Sequence, residues 1–140
     1  MKTESATMPV SPYEIEYDGE LAKITFYENA QELETVEGES KKWEYDIYFL
    51  HVRNRDNLIA HIENNVDAWT QTAKDLEYND LASKIRTKRD GLLAECDWTQ
   101  ITDTSLSSEE KEIWRVYRQA LRDIPQQPEF PYRINWPVVE

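Results

Sequence analysis

The chain has 140 residues, 39% of them apolar, which is enough for one hydrophobic core and is typical of a single domain. Its 28 acidic and 16 basic side chains give a net charge of −12, which disfavours nucleic acid and anionic membranes as partners. Cys96 is the only cysteine, which excludes an intrachain disulfide and indicates a reducing cytoplasm.

The N-terminal part is predicted to form a small antiparallel sheet after a flexible tether at residues 1–11. Asp18-Gly19 has the composition of a two-residue hairpin turn, and a hairpin closed there pairs Ile15 with Ala22 on one face. A second strand pair is predicted at residues 31–37 and 43–52, joined by a polar turn at 38–42.

From residue 57 onward the apolar spacing changes to steps of three and four, which is typical of amphipathic helices. The first helix is predicted to lie on the sheet through the stripe Ile59, Ile62, Val66, Trp69, Ala73 and Leu76. Asn64-Asn65 is a candidate break in this helix. A second helix is predicted to begin at a cap formed by Asn79-Asp80.

A third helix is predicted to begin near Ser107, because Ser107 and Glu110 have the spacing of a capping box, and to end at Pro125. It is predicted to run through Ile113, Trp114, Tyr117, Leu121 and Ile124, and its buried face is predicted to consist of Trp114, Tyr117 and Leu121. The residues after it combine three prolines with aromatic side chains and are predicted to be an extended aromatic tail.

The predicted fold is therefore α+β, with a small antiparallel N-terminal sheet followed by three helices and the extended C-terminal tail. We divide it into the tether at 1–11, a lobe of sheet and first helix at 12–80, and a lobe of helical hairpin and tail at 81–140.

Three motifs follow one another between residues 85 and 137. They are the turn Asp97-Trp98-Thr99-Gln100, a helix pattern that starts at Trp114, and the closing pair Trp136-Pro137. Together, in this order and spacing, they resemble the phage tail assembly chaperone family. The resemblance implies a bacteriophage protein in the host cytoplasm that binds a tail fibre or another tail protein and assists its assembly, without cofactor or catalysis.

Seven residues in this region are candidate client contacts. Trp98 lies in a turn where it can anchor a client or close the helical hairpin. Arginines at i, i+3 and i+7 of the third helix can pair with carboxylates of a client or of this chain. The terminal Trp-Pro pair can dock on its own domain or on a client. The seven candidates are Trp98, Arg115, Arg118, Arg122, Tyr132, Trp136 and Pro137.

Other patterns give no site. His51 and His61 lack a third metal ligand, and Cys96 lacks a histidine partner for nucleophilic catalysis. Glu14 and Glu16 are explained by a solvated strand face. We therefore expect no metal, cofactor or catalytic residue.

The sequence leaves several alternatives to a tail fibre chaperone open. A permanent virion component bound to the tail fibre or baseplate uses the same surfaces, and a chaperone for the tape-measure protein differs only in its client. The small size and net charge also fit an acidic DNA mimic or an inhibitor of a host enzyme. Self-association stays open as well.

Overall fold

The computed structural model describes residues 1–37 and 39–139. The chain divides into two compact units, which we call the N-terminal unit, Met1–Glu77, and the C-terminal unit, Tyr78–Glu140. Four antiparallel strands precede the helices, which confirms the predicted α+β fold.

The strands and helices have the following bounds: β1 Lys2–Ser5, β2 Tyr13–Asp18, β3 Leu21–Leu33, β4 Lys42–Arg53, α1 Leu58–Glu63, α2 Val66–Glu95 and α3 Ser108–Asp123. Two short 3-10 helices follow α2 and α3, at Asp97–Gln100 and Ile124–Gln126. The strand order in the sheet is β1-β4-β3-β2.

The hairpin of β2 and β3 forms, but its turn lies one residue later than predicted. Asp18 pairs with Leu21, so Gly19 and Glu20 are the central turn residues. Gly19 has a φ of 60° at the first central position, which is the pattern of a type II′ turn. Ile15 therefore lies opposite Ile24, and because the shift is two residues, every side chain keeps its predicted face.

The polar N-terminus is not a tether throughout, because β1 is an edge strand of the sheet. Ser5 pairs with Trp43 of β4, and the amide of Ile47 donates to the carbonyl oxygen of Met1 at 2.7 Å. Lys2 also forms an ion pair with Glu44. Backbone hydrogen bonds and an ion pair stabilise this strand. Its sequence has no apolar alternation, so the strand could not be predicted from it.

The predicted strand at 31–37 is wrong as a separate element, because β3 continues through Leu33. Its register on β4 shifts between Glu28 and Gln31, and Asn29 has a φ of 53° there, as expected of a β-bulge. The predicted strand at 43–52 is confirmed by β4. The predicted turn at 38–42 includes Gly38, which lies outside the described residues.

One face of the sheet packs on α1 and the first turns of α2. The buried side chains of this core are Ala22, Ile24, Phe26, Leu50, Leu58, Ile62 and Ala73. The predicted helical stripe is wrong at Ile59 and Leu76, which are 49% and 52% exposed. At the start of α1, Leu58 takes the buried position instead of Ile59. The break at Asn64-Asn65 is confirmed.

The predicted helix start at Asn79-Asp80 is wrong, because α2 continues through both residues. Asp80 accepts a hydrogen bond from Nζ of Lys84 at 2.6 Å on the helix surface, one turn further along. Its carboxylate therefore forms an i,i+4 pair within the helix instead of an N-terminal cap.

The third helix begins as predicted. The Ser107 side chain accepts from the amide of Glu110 at 3.2 Å, and the Glu110 carboxylate accepts from the amide of Ser107 at 2.7 Å. This reciprocal pair confirms the capping box. Leu121 is fully buried as predicted, whereas Trp114 and Tyr117 are only partly buried. Ile124 is also fully buried, and Ile113 is 45% exposed.

Candidate interaction site

The predicted turn motif forms a short 3-10 helix at the end of α2. The Thr99 side chain is buried and its hydroxyl donates to the carbonyl oxygen of Cys96 at 2.7 Å. The side-chain amide of Gln100 in turn donates to the Thr99 hydroxyl at 2.8 Å. The C-terminal carbonyl groups of α2 lack intrahelical donors, and these hydrogen bonds supply a donor there and stabilise the turn.

Arg118 joins α3 to this turn. One terminal nitrogen of its guanidinium donates to the Leu93 carbonyl oxygen at 2.8 Å and to Sγ of Cys96 at 2.9 Å. The other donates to the carboxylate of Asp97 at 2.7 Å. The residue is 7% exposed, and its two terminal nitrogens are engaged inside the C-terminal unit, whereas its buried Nε has no hydrogen-bond partner among the described residues.

The electrostatics of Arg118 follow from these contacts. Burial lowers the pKa of the guanidinium, but the hydrogen bonds to Asp97 and Cys96 outweigh burial and raise that pKa above its ordinary value. A cation beside the C-terminal carbonyl groups of α2 is also favoured by the helix dipole. Arg118 is therefore charged and supports the turn.

Trp98 lies on the outside of the same turn. Its ring meets Trp114 edge to face at a centroid distance of 5.9 Å, and Trp114 meets Tyr117 in the same way at 5.7 Å. Trp98 nevertheless remains 48% exposed. Its indole thus braces the helical hairpin and presents an aromatic edge at the surface.

The C-terminal tail packs against α2. The Gln127 side chain bonds the backbone of Asn135 in both directions, at 2.8 and 2.9 Å, and closes a loop. Phe130 contacts Tyr78 at a centroid distance of 6.3 Å. Nζ of Lys88 lies 4.3 Å from the ring centroid of Trp136. The first part of the tail is a turn, and residues 134–139 follow without regular secondary structure.

An apolar groove lies between α3 and the end of the tail. It is lined by Glu112, Ile113, Val116, Tyr117, Ala120, Pro137 and Val138. Ile113, Val116 and Val138 are 45%, 54% and 75% exposed, although they are aliphatic. These three side chains and Pro137 define what we call the α3 groove.

The seven predicted contact residues do not form one patch. Arg118 is buried in the turn, and Arg115 is exposed and donates to the Glu112 carboxylate at 2.7 Å. Their hydrogen bonding raises the pKa of the Arg115 guanidinium and lowers that of the Glu112 carboxyl. Arg122 lies exposed in the last turn of α3. The predicted arginine row is therefore divided between the interior and the surface.

The aromatic and tail candidates lie at or near the surface. Trp98 and Tyr132 are exposed, whereas Trp136 and Pro137 are partly buried. Pro137 alone of the seven lines the α3 groove.

Sequence analysis missed the aliphatic part of this groove. Ile113, Val116 and Ala120 recur at i, i+3 and i+7, which makes a second apolar stripe on α3. Val116 lies about 200° around the helix from Trp114, so an aliphatic residue there cannot share the buried face. That spacing was the available signal.

Two further features bear on chemistry. Within residues 1–37 and 39–139, no three His, Cys, Asp or Glu side chains are grouped to hold a metal ion. In the same described part of the chain, no helix combines the length and the apolar character needed to cross a membrane.

Comparison with known proteins identifies the pattern in the C-terminal unit. Residues 82–139 match the family model of phage tail assembly chaperone proteins, which confirms the resemblance predicted for residues 85–137. The match supports a phage tail assembly chaperone in general. Residues 1–81 lie outside it. Neither the curated proteins nor the solved structures include a match to this chain.

Proposed function

We propose that the protein is an assembly chaperone for a phage tail fibre or another receptor-binding protein of the tail. It acts in the host cytoplasm by binding its client, without catalysis. The family match supports the general role in tail assembly. The tail fibre as client and the mode of binding are our proposal.

The α3 groove is the observation that carries this proposal. Aliphatic side chains that remain half exposed in a groove are a common mark of a surface that a partner covers. The groove lies in the matched region, and the middle of α3 and the end of the tail supply its walls. A client segment with apolar side chains fits this surface.

The predicted contact residues take different parts in this proposal. Pro137 contributes to the groove, and Trp98 and Tyr132 offer aromatic contact area. Trp136 holds the tail in place over Lys88. Arg122 is a surface cation that can meet client carboxylates, Arg115 can do so only by leaving its ion pair with Glu112, and Arg118 positions the turn.

Coexpression with the candidate client tests the proposal. The tail fibre protein of the same phage is produced with and without this chain, and the yield of protease-resistant trimer is measured. We expect the chain to raise that yield and to copurify with immature fibre. An unchanged fibre yield together with no copurification contradicts the tail fibre as client.

Purified phage particles separate a chaperone from a permanent virion component. A chaperone is expected in cell extracts and absent from particles. Stoichiometric amounts of the chain in particles contradict release after assembly.

A further inference from the structure

The sheet of the N-terminal unit has a second face, which we call the outer face. Side chains alternate along a strand, so β4 directs Leu50 to the core and its odd-numbered neighbours to the opposite side. Those neighbours are Trp43, Tyr45, Ile47, Phe49, His51 and Arg53. Among the described residues of this unit, the helical side chains of the core lie on the inner face only. Phe49 is 39% exposed.

Contacts across β3 and β4 confirm that these side chains share one surface. Tyr27 of β3 meets Tyr45 edge to face at a centroid distance of 5.5 Å. Nζ of Lys23 lies 4.9 Å from the centroid of the Phe49 ring. Leu21, on the same face, is 51% exposed. The outer face is therefore an aromatic and aliphatic surface that crosses two central strands, with the basic side chains of Lys23 and Arg53 and the imidazole of His51 at one end.

Carboxylates border this surface on one side. Glu14, Glu16 and Asp18 alternate along the edge strand β2 and are all exposed. The Tyr27 hydroxyl donates to Glu14 at 2.8 Å, and Nζ of Lys23 donates to Glu16 at 3.3 Å. At the other edge, β1 contributes the neutral side chains of Thr3 and Ser5.

The charge of the N-terminal unit limits which partner can cover the outer face. Residues 1–77 contain 17 acidic and 7 basic side chains, a formal charge of −10. Stacking two copies through this face brings two such charges together, which is unfavourable at physiological salt. A cationic partner is attracted by the same field.

We propose that the outer face binds a cationic amphipathic helix of a partner protein. The apolar stripe of the helix lies along β4, and its Lys or Arg side chains face Glu14, Glu16 and Asp18. The row from Trp43 to Phe49 is about 20 Å long, which matches about 13 residues of helix. A sheet face of this kind is usually covered by a helix or a second sheet.

This inference goes beyond the proposed function. The outer face lies in residues outside the family match, and the α3 groove contributes nothing to it. If the chain does not assist fibre assembly, the proposal for the outer face is unaffected. If the outer face does not bind the helix, the chaperone proposal is unaffected.

Binding of designed peptides to the isotope-labelled full chain, followed by NMR, tests the inference. One 14-residue probe carries a leucine stripe with lysines on one flank, and its matched control carries glutamates in place of the lysines. We expect the lysine peptide to shift backbone amides of β4 and β2. The affinity of the glutamate peptide is expected to be lower by a factor of about ten or more. Shifts confined to other residues, or equal binding of both peptides, overturn the proposal.

Variants of the chain localise the interaction. The triple variant Glu14→Gln, Glu16→Gln and Asp18→Asn changes no core side chain and is expected to weaken the lysine peptide about tenfold. Phe49→Ser is expected to weaken both peptides. Ile59→Ser, at an exposed site of α1, is the matched control and is expected to change neither.

Sedimentation of the free chain provides the remaining outcome. A monomer that binds the lysine peptide supports the proposal. A dimer that the Phe49→Ser variant dissociates assigns the outer face to a second copy of this chain and overturns it. If Phe49→Ser unfolds, the triple charge variant decides, because its exposed side chains lie on the edge strand.

Discussion

Arg118 is a cation that the fold places beneath the turn after α2, where it binds three groups at once. Burial of a guanidinium is costly, and its three hydrogen bonds, one of them to the Asp97 carboxylate, offset that cost. The Leu93 carbonyl it binds belongs to the last turn of α2 and also accepts from the amide of Cys96 at 3.3 Å. The residue thus connects both helices of the hairpin through one side chain.

Replacement of this guanidinium is the first prediction. Arg118→Met keeps much of the aliphatic stem but removes the hydrogen bonds to Leu93, Cys96 and Asp97, so we expect a loss of about 2 to 3 kcal/mol in the free energy of unfolding. Arg115→Met is the matched control, because its ion pair with Glu112 is exposed and is worth about 0.5 kcal/mol or less. Urea denaturation measures both. Equal midpoints for the two variants contradict the assigned role.

At the scale of elements, the capping box of α3 links stability to pH. Hydrogen bonds from Ser107, first from its backbone amide, lower the pKa of the Glu110 carboxyl below its ordinary 4.5. A lowered folded-state pKa contributes stability above the unfolded-state value, and that contribution is lost as the pH falls through the folded-state value. The cap is therefore expected to weaken below about pH 4.5 and to be constant above about pH 6.

Two substitutions test this linkage. Glu110→Gln retains an acceptor for the Ser107 amide but does not titrate, so its stability difference from the parent is expected to shrink as the pH falls below 4.5. Ser107→Ala removes the other half of the box and is expected to cost about 1 kcal/mol at neutral pH. Urea midpoints between pH 3 and pH 7 measure both, and a Glu110→Gln difference that does not change with pH contradicts the linkage.

The two glycines whose surroundings are described make a matched pair. A Cβ atom at Gly19 or at Gly91 meets no atom within 4 Å, so backbone conformation alone decides the effect of substitution. Gly19→Val is expected to destabilise by about 1 to 2 kcal/mol, because φ is positive there. Gly91→Ala, inside α2, is expected to stabilise by about 0.5 to 1 kcal/mol. Effects of the same sign in thermal melts contradict this explanation.

Elements with strong local signals were predictable from the sequence. The capping box of α3 and the strand β4 lie where side-chain chemistry and alternation place them. The edge strand β1 was not predictable, because pairing with β4 stabilises a polar segment that has no periodicity. Asn79-Asp80 shows the opposite error. This pair is favourable at the N-terminus of a helix, but both residues lie inside α2, where the tertiary context overrides their local preference.

The candidate site was predictable only in part, for a related reason. Arginine spacing on α3 predicts a shared face, but it does not reveal that the turn at Cys96 and Asp97 takes Arg118 into the interior. The turn motif and its position after α2 were read correctly from the order of the motifs. The α3 groove depends on where the tail packs, and a proline-rich tail carries no periodic signal for that.

At the scale of the whole molecule, charge and family match are distributed differently. The N-terminal unit has a formal charge of −10, whereas residues 78–140 contain 11 acidic and 9 basic side chains and are nearly balanced. The family match, residues 82–139, lies entirely within this second group of residues, and so does the α3 groove. We therefore expect client binding through the groove to depend weakly on salt, and binding at the outer face to depend strongly on it.

The last prediction separates client binding from stability by changing only exposed aliphatic side chains. Val116 and Val138 both line the α3 groove, and substitution of both by serine removes apolar surface that a client is expected to cover. Because both are more than half exposed, we expect the melting temperature to change little. Loss of their burial against a client is expected to cost about 2 kcal/mol, or roughly 30-fold in affinity.

The matched control is Val10→Ser, because Val10 is fully exposed and lies outside the family match. The yield of protease-resistant fibre on coexpression is the measurement, with thermal melts of each purified variant beside it. We expect the groove variant to keep its melting temperature and lose most of the fibre yield, and the control to keep both. Full fibre yield from a stable groove variant excludes the α3 groove as the client contact and directs attention to Trp98 and Tyr132. A loss of yield that tracks a lower melting temperature shows instead that the two valines hold the tail on α3.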